Sequence, residues 1–120
     1  MKPVMTIDIG GNKRWRLNGK FHREDGPAIE YADGTKHWYI NDERHREDGP
    51  AVERADGLKQ WWVNGELHRE DGAAIELPNG VAYWYINNTH IDLEEIIKNY
   101  PDGYGPWTAI DIVKLKLKYL

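Results

Sequence analysis

A histidine and an aspartate recur three residues apart in this chain, as His22 and Asp25, His45 and Asp48, and His68 and Asp71. Imidazole beside carboxylate is a pairing from which general bases and metal sites are built. Such pairs point to hydrolytic chemistry, with or without a metal ion. Each pair lies in the same string, His-Arg-Glu-Asp-Gly, at residues 22–26, 45–49 and 68–72. A feature copied in every unit is better explained by stacking than by an active site, which is needed once. Equivalent histidines on successive hairpins would stand two strand spacings apart, on the order of 10 Å, and could not share an ion. One histidine with one or two acids is also too few ligands for a tight site. The structural alternative is a turn clamp. Asp before Gly accepts backbone N–H bonds, and His bonds to it or to a neighbouring strand. Arg23, Arg46 and Arg69 would then pair with Glu24, Glu47 and Glu70 in ladders of alternating charge between units. We expect no catalytic residue, no metal ligand and no cofactor.

The elements that carry these strings form a repeat. Tryptophan falls at 15, 38, 61 and 84, each 23 residues after the last. Turn signals keep the same period: Asn18-Gly19, Asn41-Asp42, Asn64-Gly65 and Asn87-Asn88, then Asp33-Gly34, Asp56-Gly57 and Asn79-Gly80. Asn-Gly and Asp-Gly favour the positive φ angles of tight hairpin turns. Three complete units and the start of a fourth occupy residues 1–89 together with an N-terminal strand. A lone hairpin cannot bury a large apolar face, whereas a stack can. The reading is a mainly β protein of stacked β-hairpin repeats, a single-layer elongated antiparallel sheet.

Alternation along a strand puts Trp38 and Ile40 on one face and His37 and Tyr39 on the other. Trp61 and Val63 are likewise split from Gln60 and Trp62, and Trp84 and Ile86 from Tyr83 and Tyr85. We expect the tryptophan face to form the core, joined by Ile29, Val52 and Ile75. The opposite face then carries an aromatic column of Tyr39, Trp62 and Tyr85, with Arg16 in the first unit and His37 and Tyr83 at its flank. Large aromatics beside arginine resemble a protein-interaction hot spot. The competing expectation is that the C-terminal segment folds back over this face.

Residues 90–120 break the period and are expected to cap the last hairpin within the same domain, as a small α/β segment. Asp92 with Glu95 suggests a capping box for a short helix over 92–98. Residues 101–106, rich in Pro and Gly, form a loop. Residues 113–119 alternate as a strand, against a helix that would align Ile110, Val113, Leu117 and Leu120.

Composition narrows the function. The net charge is −4, and residues 11–89 interleave 11 basic with 14 acidic residues. No basic stripe of a nucleic-acid binder is visible outside the last residues. The chain has no cysteine and no serine, so disulfides and thiolate or serine nucleophiles are excluded. No phosphate-binding glycine loop, Gly-x-Ser-x-Gly or His-Glu-x-x-His string is present. No apolar run approaches the roughly 20 residues of a membrane span, and the first residues have no signal-peptide apolar core. A cytoplasmic protein is expected, in the host cytoplasm if phage-encoded.

A period of 23, a Trp- or Tyr-rich strand, an Asn-Gly turn and a glycine-containing second half resemble the MORN-type repeat in its divergent bacterial and phage form. The resemblance covers about residues 11–89. The usual motif runs Tyr-x-Gly-x-Trp and then His-Gly-x-Gly. Here Trp38-Tyr39-Ile40-Asn41 is followed by His45-Arg46-Glu47-Asp48-Gly49, with charged residues in place of the glycine after histidine. The resemblance implies a curved β-sheet acting as a scaffold, a protein-binding surface or, in some eukaryotic members, a membrane-associated module. It also implies antitoxin-like relatives in bacteria and occurrence in phages and large viruses. The expected function is a non-enzymatic protein-binding module, possible forms being a phage-encoded inhibitor of a host enzyme or defence complex and a bacterial antitoxin-like protein. A metal-dependent hydrolase using one His-Asp pair is the enzymatic alternative. The partner is another protein, with nucleic acid and membrane disfavoured. The N-terminal edge around residues 4–8 would permit a homodimer.

Overall fold

A computed structural model describes residues 1–92. Of the capping segment expected over 90–120 only residues 90–92 are described, and His90 and Ile91 do not begin a cap but pair in the fourth hairpin; the helix expected over 92–98, beyond Asp92, and the strand or helix over 108–120 lie outside the described residues.

The hairpin turns form as their residue types demand. Both central residues have positive φ at Asn18 and Gly19 (53° and 78°), Asn41 and Asp42 (48° and 66°), Asn64 and Gly65 (50° and 77°), and Asn87 and Asn88 (46° and 67°). This pair of angles twists the strands as a two-residue hairpin requires. Where glycine is replaced, the side chain compensates. The Asp42 carboxylate accepts the Phe21 N–H at 2.7 Å, and the Asn88 side-chain oxygen accepts the Leu67 N–H at 3.1 Å.

Fourteen short strands result among the described residues. The first five are β1 (Val4–Ile7), β2 (Lys13–Leu17), β3 (Lys20–Phe21), β4 (Ile29–Glu30) and β5 (Lys36–His37). Then come β6 (Tyr39–Ile40), β7 (Glu43–Arg44), β8 (Val52–Glu53), β9 (Lys59–Gln60) and β10 (Trp62–Val63). The last four are β11 (Glu66–Leu67), β12 (Ile75–Glu76), β13 (Ala82–Ile86) and β14 (Thr89–Ile91). A main antiparallel sheet runs β1-β2-β4-β5-β8-β9-β12-β13-β14, with β3 beside β2, and the pairs β6-β7 and β10-β11 form side hairpins. The main sheet, which does not close on itself, forms one elongated layer among the described residues.

The tryptophans sit where each unit forks from the main sheet into its side hairpin. The Trp38 N–H donates to the Ala51 carbonyl at 2.8 Å, while its own carbonyl accepts the His45 N–H at 3.2 Å. Trp15 and Trp61 repeat both bonds, with Ala28 and His22, and with Ala74 and His68. Close backbone approach at the fork explains the small residue there, since Ala28, Ala51 and Ala74 are fully buried. Adjacent side hairpins are also bonded to each other: the Asp42 N–H donates to the Phe21 carbonyl, and the Arg23 N–H to that of Tyr39.

Directly opposed residues in an antiparallel ladder share a face. Arg14, Ile29, His37, Val52, Gln60, Ile75 and Tyr83 are opposed in succession and line one face. Lys13, Glu30, Lys36, Glu53, Lys59 and Glu76 line the other, in strict alternation of sign. Ile29, Val52 and Ile75 therefore lie opposite the tryptophans, which share a face with the Lys/Glu ladder. The expectation of one core holding both groups is corrected. Alternation fixes faces only within a continuous strand, and a seven-residue loop separates each hairpin from its isoleucine or valine. Apolar burial is thus thin and two-sided. Ile29 and Val52 are buried on the face of the aromatic column, whereas the four tryptophans are half-buried on the other side.

Candidate functional site

The His-Arg-Glu-Asp-Gly string is a joint, and each residue in it has a mechanical part. The Nδ1 atoms of His22, His45 and His68 accept the backbone N–H of Asn41, Asn64 and Asn87 at 3.0–3.1 Å, each in the next unit's turn. That bond uses the ring's one lone pair and leaves the proton on Nε2 in the neutral ring. Nε2 lies 3.5–3.6 Å from the exposed carboxylates of Glu24, Glu47 and Glu70. The guanidinium carbons of Arg23, Arg46 and Arg69 stand 3.8–3.9 Å above the rings of Trp15, Trp38 and Trp61. Nε of each donates to Asp25, Asp48 or Asp71 at 2.9 Å, and Nη1 donates to the carbonyl of Pro27, Pro50 or Ala73. Nη1 also reaches Glu30, Glu53 or Glu76 at 3.1–3.4 Å.

The glycine that closes the string makes room for this arginine. A Cβ on Gly26, Gly49 or Gly72 would lie 2.6–2.9 Å from its guanidinium carbon. The arginines therefore staple their own units, not their neighbours through Glu24, Glu47 and Glu70 as the sequence suggested. The ladder of alternating charge between strands belongs instead to lysine and glutamate. Shallow grooves between successive strings, such as the one lined by Arg23, Asp25, Trp38, Ile40, His45 and Arg46, repeat with the same period. Among the described residues no group of three or more His, Asp or Glu is placed to hold a metal ion.

The opposite face brings the aromatic column together. Hairpin register sets Arg16 against Phe21, Tyr39 against Arg44, Trp62 against Leu67 and Tyr85 against His90. These pairs join into a stripe across the side hairpins. Arg16 lies over Phe21 at 4.7 Å, and Phe21 meets Tyr39 at 5.5 Å between centroids. Arg44 lies between Tyr39 and Trp62, at 5.6 and 5.3 Å. Tyr85 meets His90 at 5.3 Å and Tyr83 meets it at 6.1 Å.

The flanking residues join the main sheet to the stripe. His37 stacks against Tyr39 at 6.3 Å and edge-on to Tyr31 at 5.7 Å. Gln60 takes the same place one unit later and accepts the Trp62 indole N–H at 2.9 Å. Burial, and then the nearby Arg44 charge, push the His37 pKa below its ordinary value. Arg16 and Tyr83 are exposed, while His37, Tyr39, Trp62 and Tyr85 are half-buried. All six expected surface residues thus lie on one face, though at graded depth.

Phe21, Arg44, Leu67, His90 and Tyr31 also belong to this face and were not singled out from the sequence. The signal for the first four was available. A two-residue turn pairs residue i with i+5 across the hairpin, which links 16 to 21 and 39 to 44. They escape notice because the column has no repeated residue type. No helix among the described residues is long and apolar enough to cross a membrane. Searches against protein-family models, curated proteins and solved structures find no match to the chain.

Proposed function

We propose that this chain is a non-enzymatic protein-binding repeat module that works through the Arg16–Tyr85 face. The observation that carries this reading is a contrast in sequence between the two faces. On the tryptophan face the units repeat: Trp at 15, 38, 61 and 84; Arg at 23, 46 and 69; Glu at 30, 53 and 76. On the aromatic face Ile29, Val52 and Ile75 repeat, but the other positions differ: Arg16, Tyr39, Trp62 and Tyr85; Phe21, Arg44, Leu67 and His90; Arg14, His37, Gln60 and Tyr83. Stacking imposes one chemistry on every unit. A partner without the period imposes a different residue at each place, and large aromatics with arginine supply the binding energy. The histidines lend no support to a hydrolase, because their Nδ1 lone pairs are engaged at the joints.

A phage-encoded inhibitor of a host enzyme or defence complex is the form we favour, with an antitoxin-like role second. The test is capture of a partner by the tagged chain. Tyr39→Ala with Trp62→Ala should retain the β circular-dichroism spectrum and lose capture. Undiminished capture by the folded double variant would remove this face from the proposal. Self-association is a second reading, favoured by the terminal position of β1 in its sheet and by the exposure of Val4, Met5, Ile7 and Ile9. A sedimentation coefficient that does not change with protein concentration and matches a monomer would sink it.

A further inference from the structure

The chain has seven arginines, and carboxylates hold five of them: Arg14, Arg23, Arg46, Arg54 and Arg69. Arg16 and Arg44 have no carboxylate partner among the described residues. Both sit on the aromatic stripe. Every strand glutamate among the described residues, Glu30, Glu43, Glu53, Glu66 and Glu76, belongs to the tryptophan face by register. The stripe is therefore a strand surface with positive charge and no acid, on a chain of net charge −4. Strand glutamates are confined to one face although acids and bases are well mixed along the sequence.

We infer that the stripe from Arg16 to Trp62 recognises an extended acidic segment of a protein partner, with two carboxylates pairing to Arg16 and Arg44. The inference rests on the protein-binding reading above and gives that partner a chemistry. A guanidinium stacked on rings keeps its N–H groups in its own plane, so its covered faces leave a donor edge suited to a carboxylate. Arg44 is held in this way between Tyr39 and Trp62, and its buried Nε has no acceptor among the described residues. Aromatic ring edges are the positive part of the ring quadrupole and favour the same ligand. Arg16, Phe21, Tyr39 and Arg44 lie on four successive strands. The two guanidiniums are thus about three strand spacings apart, roughly 14 Å. An extended chain covers that distance in about four residues. Single-stranded nucleic acid also offers anions, but its platforms need open ring faces for base stacking. Here Arg44 occupies the facing sides of Tyr39 and Trp62, and Phe21 lies between Arg16 and Tyr39.

Fluorescence anisotropy with the full chain tests this. The probes are a labelled Thr/Gly peptide of twelve residues with two glutamates four apart, the same peptide with glutamines, and a twelve-nucleotide oligo-dT. At low salt the acidic peptide should bind at least tenfold tighter than its glutamine counterpart. Arg16→Gln with Arg44→Gln should erase that difference, while Lys36→Gln with Lys59→Gln on the other face preserves it, all variants having unchanged circular dichroism. Oligo-dT binding tighter than the acidic peptide, or no binding of the acidic peptide by the folded chain, overturns the inference. Equal binding of both peptides, abolished by Tyr39→Ala with Trp62→Ala, also overturns it but leaves the protein-binding reading standing.

Discussion

The two faces of this sheet are made by the same strands and obey different rules. On the tryptophan face each unit closes on itself: ring, arginine staple, aspartate and glutamate come from one stretch of chain. The ladder of lysine and glutamate then runs from unit to unit with the same pair each time. On the aromatic face the contacts differ at every step, an arginine over phenylalanine, then an arginine between tyrosine and tryptophan, then tyrosine beside histidine. Satisfaction is also unequal. The staple arginines make several bonds each, whereas His37 Nδ1 and Arg44 Nε are buried without an acceptor or donor among the described residues. A repeat that must stack spends its invariance on one side, and variation is then tolerated on the other.

The contrast breaks most easily at the forks. Trp38→Ala removes the ring beneath Arg46 and should cost about 3 kcal/mol, the lower end for a large aromatic because the ring is half-buried. Tyr39→Ala, one residue away on the other face, should cost less than half of that in the same denaturant titration. Equal losses would mean that both faces are structural. The joint is the next test. His45→Gln moves the acceptor away from the Asn64 N–H and should cost about 1 kcal/mol. His45→Asn sets an oxygen near the Nδ1 position and should recover most of it, and a melting curve that ranks the two the other way would refute the clamp. The smallest effect is a pH dependence on the aromatic face. Burial lowers the His37 pKa, so the native state favours the neutral ring while the unfolded chain protonates near the ordinary 6.5. The associated stability is present above that value and declines as pH falls below it. His37→Gln, which copies Gln60, should flatten that part of the stability–pH curve relative to the unsubstituted chain.

Much of this could be read from residue types because it is local. Asn-Gly, Asp-Gly and Asn-Asn turns fix hairpins within a few residues, and the 23-residue spacing of tryptophan fixes the stack. The split of Trp38 from His37 and Tyr39 followed from parity inside one stretch. Whatever crosses the loop between hairpins was not legible in this way. Ile29, Val52 and Ile75 changed sides because that loop does not preserve alternation. Arg23 chose Asp25 and Glu30 over Glu24 because its planar head lies over Trp15, and sequence adjacency does not report that geometry. The stripe was half visible, since its tryptophan and tyrosines stand out while Phe21, Arg44, Leu67 and His90 share no chemistry.

The histidine joint has a consequence for length. It accepts a main-chain N–H of the next unit's turn in the same way at three seams, whereas the turn residue beside it differs: Asp42 and Asn88 accept a bond from the preceding unit and Gly65 has no side chain to do so. Excising residues 24–46 would present Asn64 to His22 in the place Asn41 now fills and keep this bond, while Phe21 would meet Gly65 and lose the acceptor that Asp42 supplies. Units are interchangeable at this joint, so gene duplication or loss can lengthen or shorten the variable surface in whole-unit steps, with one turn bond gained or lost at a seam.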